Sequence, residues 1–380
     1  MFQALLGLKV ARRIVTKSAL SQARNKVSFE AFIELNRRMN RFFYRHFPIR
    51  RWFGFRLLAV DGSTVLLPSD TETRRLFSVV SKAKNEKKRV KRSSKRRQSP
   101  MLRISQLFDV LNDITVDAFC GFYDWSERDI AVSHAERVGK RDLILLDRGY
   151  PAFWLFSLLR SKKARFCARA PISWKAVKAF VQSGKKEQWV FLQPTPTSKR
   201  MCRNLDLPEN PLRVRLVRVE LSSGEVEVLI TDLLDENQFP VEAFAELYAF
   251  RWPVEEDYKR LKSRLDIGNL SGKSLQSVLQ DFHAKVFAKN LTSILAGPAK
   301  KEIKNRSAHK KYEYQLNFTQ ACRRMKDTVI MLFQDKHPVT LLKSLFDIFV
   351  KMIEPLRPGR KVPRNHKKPK PSAYAYQSGR

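Results

Sequence analysis

Two short apolar runs, each carried up to an aspartate, most constrain how this chain can fold. Leu57-Leu58-Ala59-Val60 runs into Asp61-Gly62, and Leu143-Ile144-Leu145-Leu146 runs into Asp147-Arg148-Gly149. Apolar runs of this length, bounded by turn formers, read as buried strands. Apolar residues resume at Val65, so residues 56–68 read as two strands around Asp61. Gly149 gives a turn after the second run, and Pro151 suits the first position of a helix. An Asp-Gly after a strand is commonly only a turn. Carboxylates at the ends of adjacent strands are also well placed to share metal ions. Asp142 competes with Asp147 for that role.

Around these strands the chain alternates helices and strands, which makes it α/β. Residues 1–50 read as a helical, basic region with possible DNA contact, Ser28 capping a helix that carries Phe29, Phe32, Ile33, Met39 and Phe43. A first core segment spans 51–163, with a hairpin turning at Asn112-Asp113 and a polar helix near 126–138. It contains the run 82–97, with ten basic residues and one acid, Glu86, expected as an exposed loop, disordered or ordered on nucleic acid. Residues 164–238 change texture to short alternating runs and read as a β-rich insertion. Residues 239–356 complete the core with helices near 273–297, 314–335 and 339–354. Residues 357–380, with eight Lys/Arg, four prolines and no acid, are expected to be a disordered basic tail.

The charge balance narrows the partners. Across 380 residues, 74 Lys+Arg face 37 Asp+Glu, a net charge of +37. Such an excess repels itself unless a polyanion compensates it, and nucleic acid is the natural candidate. No apolar run is long enough to span a bilayer. The N-terminal MFQALLGLKVARRIV places its charge after the apolar run, so it reads as a helix and not as a secretory signal. A hydrophobic fraction of 43% excludes global disorder. The four cysteines are scattered and fit a cytoplasmic, reducing setting as ordinary buried thiols. The six histidines form no ligating pattern, so carboxylates would hold any metal, which favours Mg²⁺ or Mn²⁺ over zinc.

A third acid comes with cations. Tyr248, Arg251, Glu255 and Lys262 stand at steps of three, four and seven, which bring them to one side of an α-helix. A solvated helix with an Arg251–Glu255 pair would show the same spacing. Glu256 and Asp257 compete with Glu255, although Glu256 lies about 100° round the helix. Pro253 cannot donate to residue 249, so the helix is expected to restart near Trp252 with Glu255 in its first turn.

The order strand-Asp-Gly-Ser-Thr, strand-Asp-Arg-Gly-Tyr, then Tyr-x-x-Arg-x-x-x-Glu-x-x-x-x-x-x-Lys resembles the DDE transposases of bacterial insertion sequences, on the IS-four branch. The resemblance covers roughly residues 15–355. It implies an RNase H-like catalytic core, a mixed sheet flanked by helices, with the β-rich insertion between the second Asp and the Glu. It makes Asp61, Asp147 and Glu255 a metal-binding catalytic triad for Mg²⁺ or Mn²⁺, two ions in all. Tyr248, Arg251 and Lys262 would hold phosphates near the cleaved end. Trp252 and Trp189 are candidates to stack on an unpaired base; core packing is the other role open to them, and the favoured one for Trp189. The implied partners are double-stranded DNA, at transposon ends and target, and a second copy of the chain in a synaptic complex. A cytoplasmic, nucleoid-associated bacterial protein is expected. Two alternatives remain: a nuclease or resolvase of the same fold without strand transfer, and a domesticated DNA-binding protein without catalysis.

Overall fold

The computed structural model describes residues 16–67, 71–77, 100–220, 224–265, 267–268, 270–272, 274–335 and 337–357. The basic run 82–97, the first fifteen residues and the tail beyond Arg357 lie outside the described residues. The chain divides into two compact units, Met1–Arg45 with Leu66–Ser78 and Lys259–Arg380, and His46–Val65 with Val79–Tyr258.

The second unit is built on one sheet. Its strands are β1 (Arg56–Leu66), β2 (Met101–Asp109), β3 (Ile114–Phe122), β4 (Asp142–Leu146), β5 (Arg165–Arg169), β6 (Glu187–Leu192), β7 (Leu212–Glu220) and β8 (Val226–Thr231). They lie in the order β3-β2-β1-β4-β5-β8-β7-β6. β1, β4 and β5 are parallel neighbours, with Val60 opposite Leu146 at the last paired position of β1 and β4. β2 and β3 form an antiparallel hairpin through Asn112 and Asp113, the latter at φ 60°, a conformation that Asp tolerates. The five-strand order β3-β2-β1-β4-β5, flanked by helices, is the RNase H-like core that the resemblance implied.

Burial explains why the middle strands hold the site. All five residues of β4 are buried, as are Leu57, Leu58, Ala59 and Val60 of β1. Parallel strands covered on both faces read as continuous apolar runs. Each fully buried Leu contributes roughly 1.5–3 kcal/mol relative to exposure. The helix Phe153–Ser161 buries Phe153, Trp154, Leu155 and Phe156 against this sheet, with the Phe156 and Phe166 rings stacked at 4.1 Å.

The two strands expected over 56–68 are one. β1 runs unbroken from Arg56 to Leu66, because Gly62, Ser63 and Thr64 stay extended. Asp61 therefore lies inside a strand, one residue past its paired stretch with β4. In the span read as an insertion, β6, β7 and β8 join the same sheet through β5, and the helices Lys175–Gln182 and Pro196–Asn204 are interleaved with them.

In the first unit, the helices Lys17–Asn25 and Glu30–His46 pack with the long helix Leu275–Leu295. Arg24 donates to Gln280 Oε1 at 2.8 Å and pairs with Asp281 at 2.9 Å. Asn290 donates to Asn36 Oδ1 at 2.8 Å, and both residues are buried. Helices Gly297–Ser307, Phe318–Gln334 and Val339–Lys351 complete the unit. Among the described residues, no helix is long and apolar enough to cross a membrane.

Candidate active site

Asp61 and Asp147 are the residues that follow the Val60–Leu146 register pair, so they stand side by side past the paired ends of β1 and β4. In open α/β sheets, ligands bind beyond the carboxyl ends of the strands. Asp61 Oδ1 accepts from the Gly62 N–H at 2.9 Å. Its backbone carbonyl accepts from Tyr258 Oη at 2.6 Å and Ser105 Oγ at 3.1 Å. Ser105 Oγ in turn meets His134 Nε2 at 3.0 Å, and His134 Nδ1 meets Asp117 Oδ2 at 2.8 Å. Ser105 and His134 are buried, so this chain anchors the backbone of Asp61.

Burial pushes the Asp61 carboxyl up to about 6; Gly62 N–H and Arg251 oppose the shift, and the negative charges of Glu255 and Glu127 add to it. The folded value lies above the ordinary one near 3.8, so the native state retains a proton between about pH 4 and 6. Metal-free stability therefore falls as pH rises through that window, and the cost is fully present above it. Asp61→Asn is expected to stabilise the metal-free protein by about 1 kcal/mol at pH 7 or above, with no gain near pH 4. Urea unfolding in a chelator at both pH values checks this. Equal gains at the two values would remove the buried charge as the cause.

The third carboxylate arrives on a broken helix. Ala243–Ala249 ends, and a new helix runs from Pro253 to Lys259 with Glu255 in its first turn. Pro253 at the start needs no N–H partner. The break bends the segment so that Tyr248 Oη donates to Asp147 Oδ1 at 3.2 Å, while Arg251 Nη2 donates to Glu255 Oε1 at 3.0 Å. Tyr248 and Arg251 are each 4% exposed. Burial opposes the Arg251 charge, but Tyr248, Asp147 and Glu255 outweigh it and raise its pKa. Burial and then Asp147 push the Tyr248 phenol upward. Arg251 lies 4.6 Å from the centre of the Trp252 ring, which is 55% exposed.

The competing acids separate. Asp142 is held by two bonds from Arg56, at 2.8 and 2.9 Å, and one from the Gly139 N–H, so its role is structural. Asp257 is fully buried and Glu256 is exposed. Trp189 is not a core residue: it is 44% exposed on β6, with Arg213 4.8 Å from its ring centre. β6 ends the sheet. Lys262 is exposed in the π-helical turn Arg260–Arg264, in the first unit.

One residue near these acids escaped the sequence. Glu127 opens the helix Glu127–His134, which Ser126 caps. Its Oε1 accepts from Arg103 Nη1 at 3.0 Å. A Cβ placed on Gly62 would fall 2.9 Å from Glu127 Cγ, and one on Gly149 would fall 3.8 Å from its Oε2. Glu127 thus lies against the glycines that follow both aspartates. An acid in a helix's first turn also complements the helix dipole. Tyr150 is 1% exposed and its hydroxyl has no hydrogen-bond partner among the described residues. Arg251 Nε and Arg103 Nε are buried and unpaired as well.

The donor chemistry fits a hard divalent ion. Asp61, Asp147 and Glu255 each engage one carboxylate oxygen with a donor, and the other accepts no bond among the described residues. Oxygen-only donors suit Mg²⁺ or Mn²⁺. Among the described residues, no three His, Cys, Asp or Glu side chains are already gathered as a metal cage.

A family model described as the transposase DDE domain matches residues 52–291. The chain is 24% identical over 340 residues to transposase InsG of the insertion sequence element IS4 from Escherichia coli K12, covering 89% of this chain and 72% of that protein. It is 36% identical over 67 residues to the transposase of IS421 from Escherichia coli, 18% of each. Among solved structures, a piggyBac transposase synaptic complex with hairpin DNA matches with a TM-score of 0.40 and 10% identity, over 82% of this chain and 60% of that one. DDE enzymes generally use divalent metal ions. The family model spans more than half of the chain and includes all three acids, and the chain belongs to the DDE transposases, on the IS4 branch.

Proposed function

We propose that this chain binds the terminal inverted repeats of an insertion sequence, cuts there, and joins the freed ends to target DNA. The observation that carries the reading is that Asp61 and Asp147 follow the last paired residues of two adjacent parallel strands, while Tyr248, on the segment that bears Arg251 and Glu255, donates to Asp147. Asp61, Asp147 and Glu255 would hold one or two Mg²⁺ or Mn²⁺ ions. When bound, such ions activate an attacking oxygen and steady the leaving one.

The chain's own groups then have distinct tasks. Arg251, anchored by Glu255, would bind the scissile phosphate or its neighbour. Tyr248 fixes the carboxylate of Asp147. Trp252 offers an exposed ring to an unpaired base at the end. In cleavage, a water oxygen bonds to phosphorus as the bond to the 3′-oxygen breaks, leaving a 3′-hydroxyl. That hydroxyl then attacks a target phosphodiester, and a target 3′-oxygen leaves. Two ends must be joined, so a dimeric synaptic complex is the working form. The net charge of +37 supports long-range attraction to DNA.

Donor DNA carrying the element's ends, incubated with the protein, Mg²⁺ and an acceptor plasmid, tests the reading. Joined products are expected. Free ends alone would point to a nuclease, and binding without cleavage to a DNA-binding protein.

A further inference from the structure

Glu127 is not part of the three-acid pattern, yet four observations place it with the site. Its side chain lies over Gly62 so closely that an added Cβ would clash, and it also borders Gly149. Gly62 directly follows Asp61, and its missing side chain leaves the space that Glu127 fills; Gly149 stands two residues after Asp147. Its negative charge is among those that act on Asp61. The hydroxyl of Tyr150, three residues after Asp147, is buried without a partner, and the strongest charge acting on it is that of Glu127, followed by that of Asp61. A buried hydroxyl left unpaired needs an occupant, such as an ion or ordered water.

Glu127 has an ordinary role as the counterion of Arg103. That pairing uses Oε1 and leaves Oε2 on the side of Gly149. It does not account for the Tyr150 hydroxyl. We propose that Glu127 is a fourth acid of the catalytic centre, which helps hold a divalent cation beside Asp61, with the Tyr150 hydroxyl donating to the ligands or water around that cation. The proposal rests on the metal-dependent reading above.

Mn²⁺ binding to the full-length protein, followed by the loss of the free-ion paramagnetic resonance signal, separates the possibilities without measuring activity. Glu127→Gln keeps the shape of the side chain, and Tyr150→Phe removes only a hydroxyl that makes no bond. Glu127→Gln is expected to weaken Mn²⁺ binding about 10- to 100-fold, and Tyr150→Phe by a smaller factor. The loss should persist when Arg103→Gln is added to Glu127→Gln. Recovery in that double variant would mean that Glu127 acts only through Arg103, and would overturn the proposal. Asp147→Asn serves as the control. If it weakens binding while Glu127→Gln and Tyr150→Phe do not, the fourth acid is refuted and the metal reading stands. If Asp147→Asn also leaves binding unchanged, the metal reading falls, and this proposal with it.

Discussion

Glu255→Gln is expected to lower Mg²⁺-dependent cleavage at the element's ends by on the order of a thousandfold or more, while end binding changes little. The substitution keeps the length of the side chain and removes one anionic ligand oxygen. Metal stabilisation of charge in a phosphoryl transition state is worth several kcal/mol, and each 1.4 kcal/mol is about tenfold in rate. Asp61→Asn and Asp147→Asn should fall by similar factors, because groups that act on one ion are not additive. Glu256→Gln, one residue away and exposed, should leave cleavage close to the parent level. Single-turnover cleavage of an end-labelled duplex, with gel-shift binding in parallel, gives both readings. Full activity in Glu255→Gln would remove this carboxylate from the site.

Arg251→Lys is expected to cost about a hundredfold in cleavage despite keeping the charge. The guanidinium is 4% exposed, lies against the rings of Tyr248 and Trp252, and donates to Glu255. A lysine offers one point of charge and cannot hold Glu255 and a phosphate together through a planar fork. Its loss should weaken end binding as well as cleavage, unlike the loss of Glu255. Gel-shift titration and cleavage rates on the same duplex separate the two patterns. An Arg251→Lys protein that cuts at the parent rate would show that the fork geometry has no part in the site.

The sequence made the axis of this site legible, for physical reasons. β1 and β4 are buried on both faces, so they had to be apolar, and an aspartate closing such a run is conspicuous. Pro253 forecast the broken helix, because a missing N–H at its start costs nothing there and would cost more inside. The extent of β1 was misjudged because Gly62-Ser63-Thr64 looks like a turn, whereas the backbone stays extended through it. Trp189 looked like a core residue because it sits in an alternating strand, and alternation alone does not say which face is covered. It is 44% exposed on the end strand of the sheet, with Arg213 near its ring. That β6, β7 and β8 extend the main sheet was not legible either, since strand pairing across 60 residues leaves no local mark. Glu127 was hidden for a different reason. It comes from a helix after the β2–β3 hairpin, and its place beside Gly62 is not marked by any spacing in the sequence.

The most direct test of the central claim is anomalous scattering from Mn²⁺ in crystals of the protein bound to an uncleaved end duplex. The account predicts manganese density within about 2.0–2.6 Å of carboxylate oxygens of Asp61, Asp147 and Glu255. Manganese bound elsewhere, with these three acids free of it beside the scissile phosphate, would contradict it.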